Sequence, residues 1–492
     1  MARLAFITDA YIDGAPTVLE ATDRYETVDP STGDVLATIP VGSRADVRRA
    51  VQSAQDAFPA WSRTRPAARG RILTAIAQRI REQAHELAEV ETLDTGKPTT
   101  LALGDVEVAA RYFEFYAGAA DKLYGEVIAL GPEYHAFSEH APYGVIGVIL
   151  PWNSPLQQAA RSIAPALATG NCVVVKPAED APLSNPLLAQ LASECGLPPG
   201  VLNIVPGDGP TTGAALVEDP GVRRVMFTGS VEVGRIIARS AADRLIPVGL
   251  ELGGKSPNIV FADADLVRAV EGAVLAITYN AGQACSAGSR LYVEQPVYDE
   301  FLGLLRERMA RISVGPGAED PDVGPIATPK QFARVQAFLA SAAECGASPV
   351  LEARPEVLDR HPRGFYVGPA IYEAAQDSRF VREEIFGPVL VAASFSTDDE
   401  ALAMANDTDY GLVAGVWTSN LERAMRFSSQ LEAGQVYVNN WFGGGVETPF
   451  GGWKNSGIGR EKGLEALLHY TQLRTTIISL PVSQPGGLHE AR

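Results

Sequence analysis

Predicted strands and helices alternate along the chain from residue 143, and this alternation limits the possible folds more than any other feature. Three short apolar runs, Val145–Leu150, Cys172–Val175 and Arg224–Phe227, have the composition of buried strands. Each is followed, after a short turn, by a stretch with apolar residues at helical spacing. Parallel strands joined by right-handed crossovers produce this pattern, so we predict a doubly wound α/β sheet.

The same alternation resumes after residue 255, with predicted strands at Asn258–Phe261 and Arg290–Val293. The chain has 492 residues, and domains of roughly 100–200 residues leave room for two such Rossmann-like units. We predict a first domain formed by residues 1–122 and 143–254, and a second formed by residues 255–455.

The N-terminal part is predicted to be helical. Residues 44–61 and 66–92 have apolar side chains at the spacing of one helix face, and the helical pattern returns over 105–122. These segments predict amphipathic helices that pack on the first sheet.

Two segments fit neither domain. Residues 123–142 are rich in β-forming residues, and the run Leu473–Leu480 near the end of the chain is β-branched. An exposed terminal strand promotes aggregation unless it is paired. We therefore predict that 123–142 and the tail 456–492 contribute to one small β arm, completed across a subunit interface.

The composition excludes several classes of function. A net charge of −18 argues against nucleic-acid binding, which depends on Lys and Arg contacts to phosphate. No apolar run approaches the roughly 20 residues of a membrane helix, and the N-terminus has no cleavage signature, so we expect a cytoplasmic protein that does not bind membranes. The four cysteines and six scattered histidines form neither a disulfide framework nor a zinc motif, and we expect no metal site.

Cys285 is one candidate nucleophile. Small residues precede it in the segment Asn280–Cys285, so substrate and backbone can approach closely, and the thiol is expected at the end of a helix. The alternative for any single cysteine is a small buried apolar residue. Glu251, followed by the pair Gly253-Gly254, has the setting of a general base, although a surface or helix-capping role is equally compatible with it.

Two glycine-containing turns have the character of phosphate sites. Gly249–Ser256 matches the P-loop pattern of nucleotide hydrolases, but the residues after Ser256 predict a strand where that motif requires a helix. Thr228–Gly234 follows a strand and opens a helix, which is the right setting for a pyrophosphate at a helix N-terminus. Turn geometry and helix capping alone also account for Gly and Ser there.

Two further turns carry charged residues. Lys176 and Glu179 follow a strand, where parallel sheets bind nucleotides, and could hold ribose hydroxyls. Glu384 lies in an acidic turn that ends in Phe386-Gly387-Pro388. Each of these turns could equally be solvated surface.

Together these segments resemble one family, the NAD(P)-dependent, non-acylating aldehyde dehydrogenases, over nearly the whole chain. The order and spacing of the seven matching motifs make the resemblance specific. They are Pro151-Trp152-Asn153, Lys176-Pro177-Ala178-Glu179, Phe227-Thr228-Gly229-Ser230, Glu251-Leu252-Gly253-Gly254-Lys255, Gly282-Gln283-Ala284-Cys285, Glu384-Ile385-Phe386-Gly387-Pro388 and Pro449-Phe450-Gly451-Gly452-Trp453-Lys454-Asn455-Ser456-Gly457.

The resemblance implies a covalent mechanism. Cys285 attacks the aldehyde carbon as a thiolate, and the side-chain amide of Asn153 with the backbone N–H of Cys285 forms the oxyanion hole. Glu251 then activates the water that hydrolyses the thioester. The resemblance also implies a first domain that binds NAD, a catalytic second domain and a homodimer or homotetramer.

The implied cofactor contacts divide by the part of NAD that they hold. Lys176 and Glu179 hold the adenosine ribose, Ser230 the pyrophosphate and Glu384 the nicotinamide ribose. The full implied set is Trp152, Lys176, Glu179, Gly229, Ser230, Gly234, Glu384 and Phe386. Because the Glu179 carboxylate would repel a 2′-phosphate, NAD is expected rather than NADP.

The resemblance also bears on product and substrate. Relatives that pass the acyl group to coenzyme A lack the base at Glu251, so a free acid is the expected product, with acyl transfer as the alternative. Arg161 is expected to pair with a carboxylate or phenol oxygen of the aldehyde, unless it lies on the outer face of its helix. The implied pocket comprises Ser154, Gln157, Arg161, Trp441, Gly444 and Phe450.

Overall fold

A computed structural model describes residues 6–481 of the chain. Most of its helices lie before residue 310 and flank the two large sheets. The helices are α1 (Arg44–Arg63), α2 (Pro66–Glu82), α3 (Ala84–Thr95), α4 (Thr99–Ala119), α5 (Pro155–Ala168), α6 (Ser184–Glu194), α7 (Ala214–Glu218), α8 (Val231–Asp243), α9 (Leu266–Thr278), α10 (Tyr298–Met309), α11 (Pro329–Ala340), α12 (Arg379–Arg382), α13 (Asp398–Asn406), α14 (Leu421–Gln430) and α15 (Glu465–His469).

The strands form two large sheets and three small ones. They are β1 (Ala10–Ile12), β2 (Ala15–Thr17), β3 (Arg24–Asp29), β4 (Asp34–Pro40), β5 (Val127–Ile128), β6 (Tyr134–Pro142), β7 (Val145–Ile149), β8 (Cys172–Lys176), β9 (Leu202–Ile204), β10 (Val222–Thr228), β11 (Val248–Glu251), β12 (Pro257–Val260), β13 (Arg290–Glu294), β14 (Ser348–Glu352), β15 (Ala370–Glu373), β16 (Val389–Phe395), β17 (Tyr410–Gly411), β18 (Val413–Trp417), β19 (Gln435–Val438), β20 (Trp453–Lys454), β21 (Gly457–Ile458) and β22 (Thr471–Ser479).

The first large sheet has the order β2-β1-β9-β8-β7-β10-β11-β21. Its five central strands, β9 to β11 in that order, are parallel, as the alternating pattern predicts. The sequence of strands reverses between β7 and β10, and such a reversal opens a crevice beyond the carboxyl ends of the two strands. Helix α5 is buried along almost its whole length, including its polar residues Gln158, Arg161 and Ser162.

The second large sheet has the order β14-β15-β16-β13-β12-β18-β19, in which only the β14–β15 pair is antiparallel. Only residues 252–256 separate β11 of the first sheet from β12 of the second. The carboxyl edge of the first sheet therefore meets the amino edge of the second. This confirms the predicted α/β class with two Rossmann-like sheets.

The β-rich segment and the tail lie in one three-stranded sheet of order β22-β6-β5, with β22 and β6 antiparallel over nine residue pairs. The segment that follows residue 455 first contributes β21 to the edge of the first large sheet, where Gly457 lies opposite Glu251. Of its described part, only β22 pairs within the arm, because β21 takes up the hydrogen bonds that β11 leaves unpaired on that side. Residues 482–492 of the predicted tail lie outside the described residues.

The predicted helix over 66–92 is instead two helices, α2 and α3. They meet at Gln83, whose backbone (φ −102°, ψ 18°) is not helical. Within residues 6–481, no helix combines the length and the apolar composition needed to cross a bilayer.

Candidate active site

The carboxyl ends of β7, β10 and β11 bring three sequence motifs together. Trp152 and Asn153 follow β7, Gly229 and Ser230 follow β10, and Glu251 ends β11. Thr228 and Glu251 are direct neighbours across the β10–β11 pair, so the candidate base lies one strand from the glycine turn. Residues more than 70 positions apart in sequence are thereby placed together at the carboxyl edge of the first large sheet.

Cys285 lies on the opposite wall of the crevice, in the loop between α9 and β13. The helix ends at Thr278, and the turn that follows contains Asn280 and Ala281 with φ of 49° and 55°. These left-handed residues stop the helix, so the thiol is on an irregular loop rather than at the helix end expected from the sequence. The side chain of Cys285 is half-buried.

Steric contacts explain why two glycines, Gly253 and Gly254, follow Glu251. A Cβ on Gly254 would collide with the carbonyl oxygen of Cys285, and a Cβ on Gly253 would collide with the Glu384 carboxylate. The N–H of Gly254 also donates a hydrogen bond to Oε1 of Glu384 at 2.9 Å. The glycine pair therefore allows the loop of the candidate base to touch the loop of the candidate nucleophile.

Asn153 is tied to the cysteine loop by two hydrogen bonds. Its side-chain Nδ2 donates to the carbonyl of Gln283 at 2.8 Å, and its own carbonyl accepts from Nδ2 of Asn280 at 2.9 Å. Asn153 is buried. An amide donor is therefore held beside the segment that carries Cys285, where a developing oxyanion would need one.

Burial dominates the electrostatics of the site. It raises the pKa of the Cys285 thiol to about 12, while the Arg161 guanidinium acts in the opposite direction. Burial, and then the neighbouring Glu461 carboxylate, raises the pKa of Glu251 well above its ordinary value. The Cys285 thiol is therefore protonated at neutral pH in this state, and the cation of Arg161 favours the ionised form of both Cys285 and Glu251.

Arg161 lies inside the protein rather than on the outer face of α5. Its side chain is 7% exposed and forms an ion pair with Glu461. Its Nη2 donates to Oγ1 of Thr228 at 3.4 Å, and its Cζ lies 5.5 Å from the centroid of the Phe450 ring. The guanidinium thus already has an anionic partner within the chain, although its pairing with a substrate stays a prediction.

The predicted adenosine-side residues form a group at the ends of β8 and β10. Nζ of Lys176 lies 2.7 Å from Oε2 of Glu179, whose side chain is 44% exposed. Ser230 caps α8, and its Oγ accepts from the N–H of Val233 at 3.3 Å. A Cβ on Gly234 would collide with Leu252, so this glycine lets the helix lie close to the loop after β11.

The predicted nicotinamide-side residues lie next to Cys285. The Trp152 and Phe386 rings meet edge to face at a centroid distance of 5.4 Å. Burial raises the pKa of Glu384 to about 7. Glu384 and Phe386 line a small cavity together with Gly254 and Ala284, the residue before the candidate nucleophile.

The predicted pocket residues are not all equally close to the thiol. Trp441 and Phe450 belong to the same apolar cluster as Cys285, and Nε1 of Trp441 donates to the carbonyl of Ser286 at 3.2 Å. Oγ of Ser154 accepts from Nζ of Lys97 at 3.4 Å. Gly444 has φ of 94° in an exposed loop. Gln157 is half-buried on α5.

The P-loop interpretation of Gly249–Ser256 does not agree with the structure. The segment begins in β11 and is followed by β12, so no helix N-terminus is available for a phosphate. The Lys255 side chain is 1% exposed, and burial lowers its pKa to about 7. A buried lysine of this kind cannot reach a nucleotide.

Three residues near the site have no counterpart in the sequence interpretation. Tyr279 packs against Phe442 at a ring distance of 4.9 Å, and Glu461 and Lys462 follow the last recognised motif. The hydroxyl of Ser162 donates to Glu461 over a separation of 299 residues. Tyr279 lies six positions before Cys285, and this closeness in sequence indicates a place near the site. No local sequence pattern indicates the same for Glu461.

The chain is similar to known proteins over nearly its whole length. Residues 18–476 match the model of the aldehyde dehydrogenase family. An aldehyde dehydrogenase-like protein of Schizosaccharomyces pombe is 41% identical over 464 residues, which cover 94% of this chain and 93% of the relative.

Two solved structures illustrate the structural similarity. An aldehyde dehydrogenase from Burkholderia cenocepacia has a TM-score of 0.94 and 47% identity, covering 96% of this chain and 99% of that one. An indole-3-acetaldehyde dehydrogenase from P. syringae, solved as a cysteine-to-alanine variant with NAD+ and IAA, has a TM-score of 0.95 and 41% identity over 97% of each chain.

Proposed function

This chain belongs to the aldehyde dehydrogenase family, and from that premise we propose that it oxidises an aldehyde to a free carboxylic acid with NAD through a covalent bond to Cys285. The observation that carries the proposal is the contact between Gly254 and the backbone of Cys285. It places the thiol loop against the loop of Glu251, with the Asn153 amide tied to the same segment.

The proposed chemistry divides between these three residues. The Cys285 thiolate forms a bond to the aldehyde carbon, and the resulting oxyanion is received by the Asn153 amide and the N–H of Cys285. Loss of hydride from the adduct leaves a thioester on Cys285. Glu251 removes a proton from water, the water attacks the thioester, and the acid leaves as the thiol is restored.

The residues at the carboxyl edge have the chemistry to hold NAD, which would supply the hydride acceptor. The exposed Glu179 carboxylate beside Lys176 suits the two hydroxyls of a ribose, and the Ser230 turn opens α8 toward a pyrophosphate. The P. syringae relative was solved in complex with NAD+. Glu179 would repel the extra phosphate of NADP, so NAD is the proposed cofactor.

The aldehyde is proposed to be aromatic or to carry a carboxylate. The cluster that contains Cys285 also contains Trp441, Phe450 and Phe442, which offer apolar ring surface to an aromatic substrate. The P. syringae relative is described as an indole-3-acetaldehyde dehydrogenase, which supports the aromatic class. The cationic side chains near Phe450 support an aldehyde that carries a carboxylate.

The experiment is a screen for NADH production with aliphatic, aromatic and carboxylate-bearing aldehydes, with and without coenzyme A. We expect NADH with at least one aldehyde and no requirement for coenzyme A. Cys285→Ala should abolish activity, whereas Cys172→Ala, a change at a buried thiol remote from the crevice, should retain it. Full activity in the Cys285 variant, or dependence on coenzyme A, would refute the proposal.

A further inference from the structure

Two cations lie on the ring of one pocket residue, Phe450. The Arg161 Cζ is 5.5 Å from the ring centroid, and the Lys462 Nζ is 5.4 Å from it. Phe450 belongs to the cluster that contains Cys285, so both charges are close to the reacting thiol. The two cations differ in whether a carboxylate of the chain already neutralises them.

The charge of Arg161 is balanced inside the protein. Its guanidinium forms an ion pair with Glu461, whose side chain is 2% exposed, and Glu461 is also held by the Ser162 hydroxyl at 3.1 Å. A second anion brought to Arg161 would have to compete with a partner that is already buried. Arg161 is therefore poorly suited to bind the anionic group of an acidic substrate.

The charge of Lys462 is not balanced in this way. Three carboxylates act on it: Glu461, which pairs with Arg161, Glu447, which pairs with Arg111 at 2.5 Å, and the buried Glu251. Among residues 6–481, no carboxylate lies within ion-pair distance of Lys462. An ammonium group that is partly buried and unpaired is unfavourable, and an incoming anion would relieve that cost.

The titratable groups around Lys462 come from several elements. Loss of hydration, and then Arg161 on α5, lowers the pKa of Lys462 to about 8, against the opposing effect of Glu461, Cys285 and Glu251. Lys462 in turn contributes to the lowered pKa of Glu447 on the neighbouring loop. Near neutral pH the ammonium form therefore predominates, and it is lost as the pH rises through about 8.

We propose that Lys462 is a specificity residue that receives a negatively charged group, a carboxylate or a phenolate, at the end of the aldehyde remote from the reacting carbon. The inference rests on the proposed function and adds a substrate class to it. Arg161 then serves as the internal counter-ion of Glu461. The substrate anion pairs with the ammonium of Lys462 beside the Phe450 ring.

The test compares matched aldehydes in the wild type and in three variants. The oxo acids 4-oxobutanoate, 5-oxopentanoate and 6-oxohexanoate are paired with butanal, pentanal and hexanal, and 4-carboxybenzaldehyde with 4-methylbenzaldehyde. In Lys462→Met, the kcat/KM ratio of acidic to neutral aldehyde should fall about 10- to 100-fold, mainly through KM, as expected for loss of a charged hydrogen bond.

The controls separate charge from structure. Lys462→Arg should retain most of the wild-type preference in kcat/KM for acidic over neutral aldehydes. Lys122→Met, a change at an exposed lysine paired with Asp121, should retain the full preference. In the wild type the ratio should fall as the pH rises through about 8, and in Lys462→Arg this fall should disappear because arginine stays charged.

Binding of glutarate, measured by calorimetry, provides a readout that does not need turnover. The wild type should bind glutarate about 10- to 100-fold more tightly than Lys462→Met. If Lys462→Met forms NADH with an unchanged kcat/KM ratio of acidic to neutral aldehyde and an unchanged glutarate affinity, the role of Lys462 is refuted while the proposed function stands. Glutarate binding that depends on Lys462, without NADH from any aldehyde, would overturn the proposed function and leave the anion site standing.

Discussion

At the scale of single residues, the reactivity of Cys285 depends on two opposing influences. Burial disfavours the thiolate and raises the pKa of the thiol to about 12, whereas the Arg161 guanidinium favours the thiolate. A family motif in the sequence singles out Cys285 among four cysteines as the predicted nucleophile. The charge that acts on it could not be inferred, because Arg161 and its partner Glu461 lie on distant segments and no local pattern links them.

The pH dependence of Cys285 alkylation follows from these influences. Because the pKa is raised from 9.0, the thiolate fraction should keep increasing with pH beyond 9, and alkylation by iodoacetamide should accelerate without a plateau there. Arg161→Met should slow alkylation at every pH. Mass spectrometry of the Cys285 peptide in protein free of NAD measures the rate, with Cys285→Ala as the blank. A plateau below pH 8 would contradict this account.

At the scale of elements, the regular parts of the fold were predictable and the irregular parts were not. The predicted helix 44–61 agrees with α1 to within two residues, because Ser43 caps its start and apolar side chains recur along one face. The break at Gln83 carries no Gly or Pro, so periodicity could not reveal it. The left-handed turn before Cys285 is equally hidden, since alanine rarely adopts the left-handed conformation found at Ala281.

The link between β11 and β12 provides a prediction at this scale. Gly254→Ala should displace the Cys285 loop, since the added Cβ would collide with the Cys285 carbonyl, and kcat/KM should fall roughly 100-fold, as for a misplacement of about 1 Å. Gly303→Ala is the matched control. Gly303 lies inside α10 with open space around its missing side chain, and alanine there should stabilise the fold by about 0.5–1 kcal/mol without loss of activity.

Steady-state kinetics and thermal unfolding of the two glycine variants measure these effects. Equal activity in the Gly254 and Gly303 variants would show that the contact between the two loops is not needed for catalysis. A lower melting temperature for Gly303→Ala would contradict the steric assignment of that position.

At the scale of the whole molecule, the site exists because two sheets meet edge to edge. The first sheet brings Asn153 and Glu251 to its carboxyl edge, and the second presents Cys285 at its amino edge. The alternating pattern predicts both sheets, but it does not predict how they face each other. In the three-stranded sheet of the arm, strand β22 lies at one edge and pairs only with β6. Its side chains Leu473, Ile477 and Ile478 are exposed.

The exposed strand β22 predicts a subunit interface. We expect a homodimer or homotetramer in solution, because an edge strand of nine residues with three exposed apolar side chains is rarely left uncovered. Ile477→Lys should shift the sedimentation coefficient toward that of the monomer while the circular dichroism spectrum stays the same. Leu421→Lys, at an exposed leucine on α14, should leave the assembly intact. A wild type that sediments as a monomer would contradict the prediction.

Capture of the covalent acyl-enzyme in Glu251→Gln tests the proposed mechanism. Removal of the base should slow hydrolysis about 10²-fold or more while leaving hydride loss possible, so a thioester should accumulate after mixing with aldehyde and NAD. Intact-protein and peptide mass spectrometry should show one acyl group in place of the thiol hydrogen, on Cys285 alone, together with one equivalent of NADH. NADH production without any acyl group on Cys285 would contradict the account.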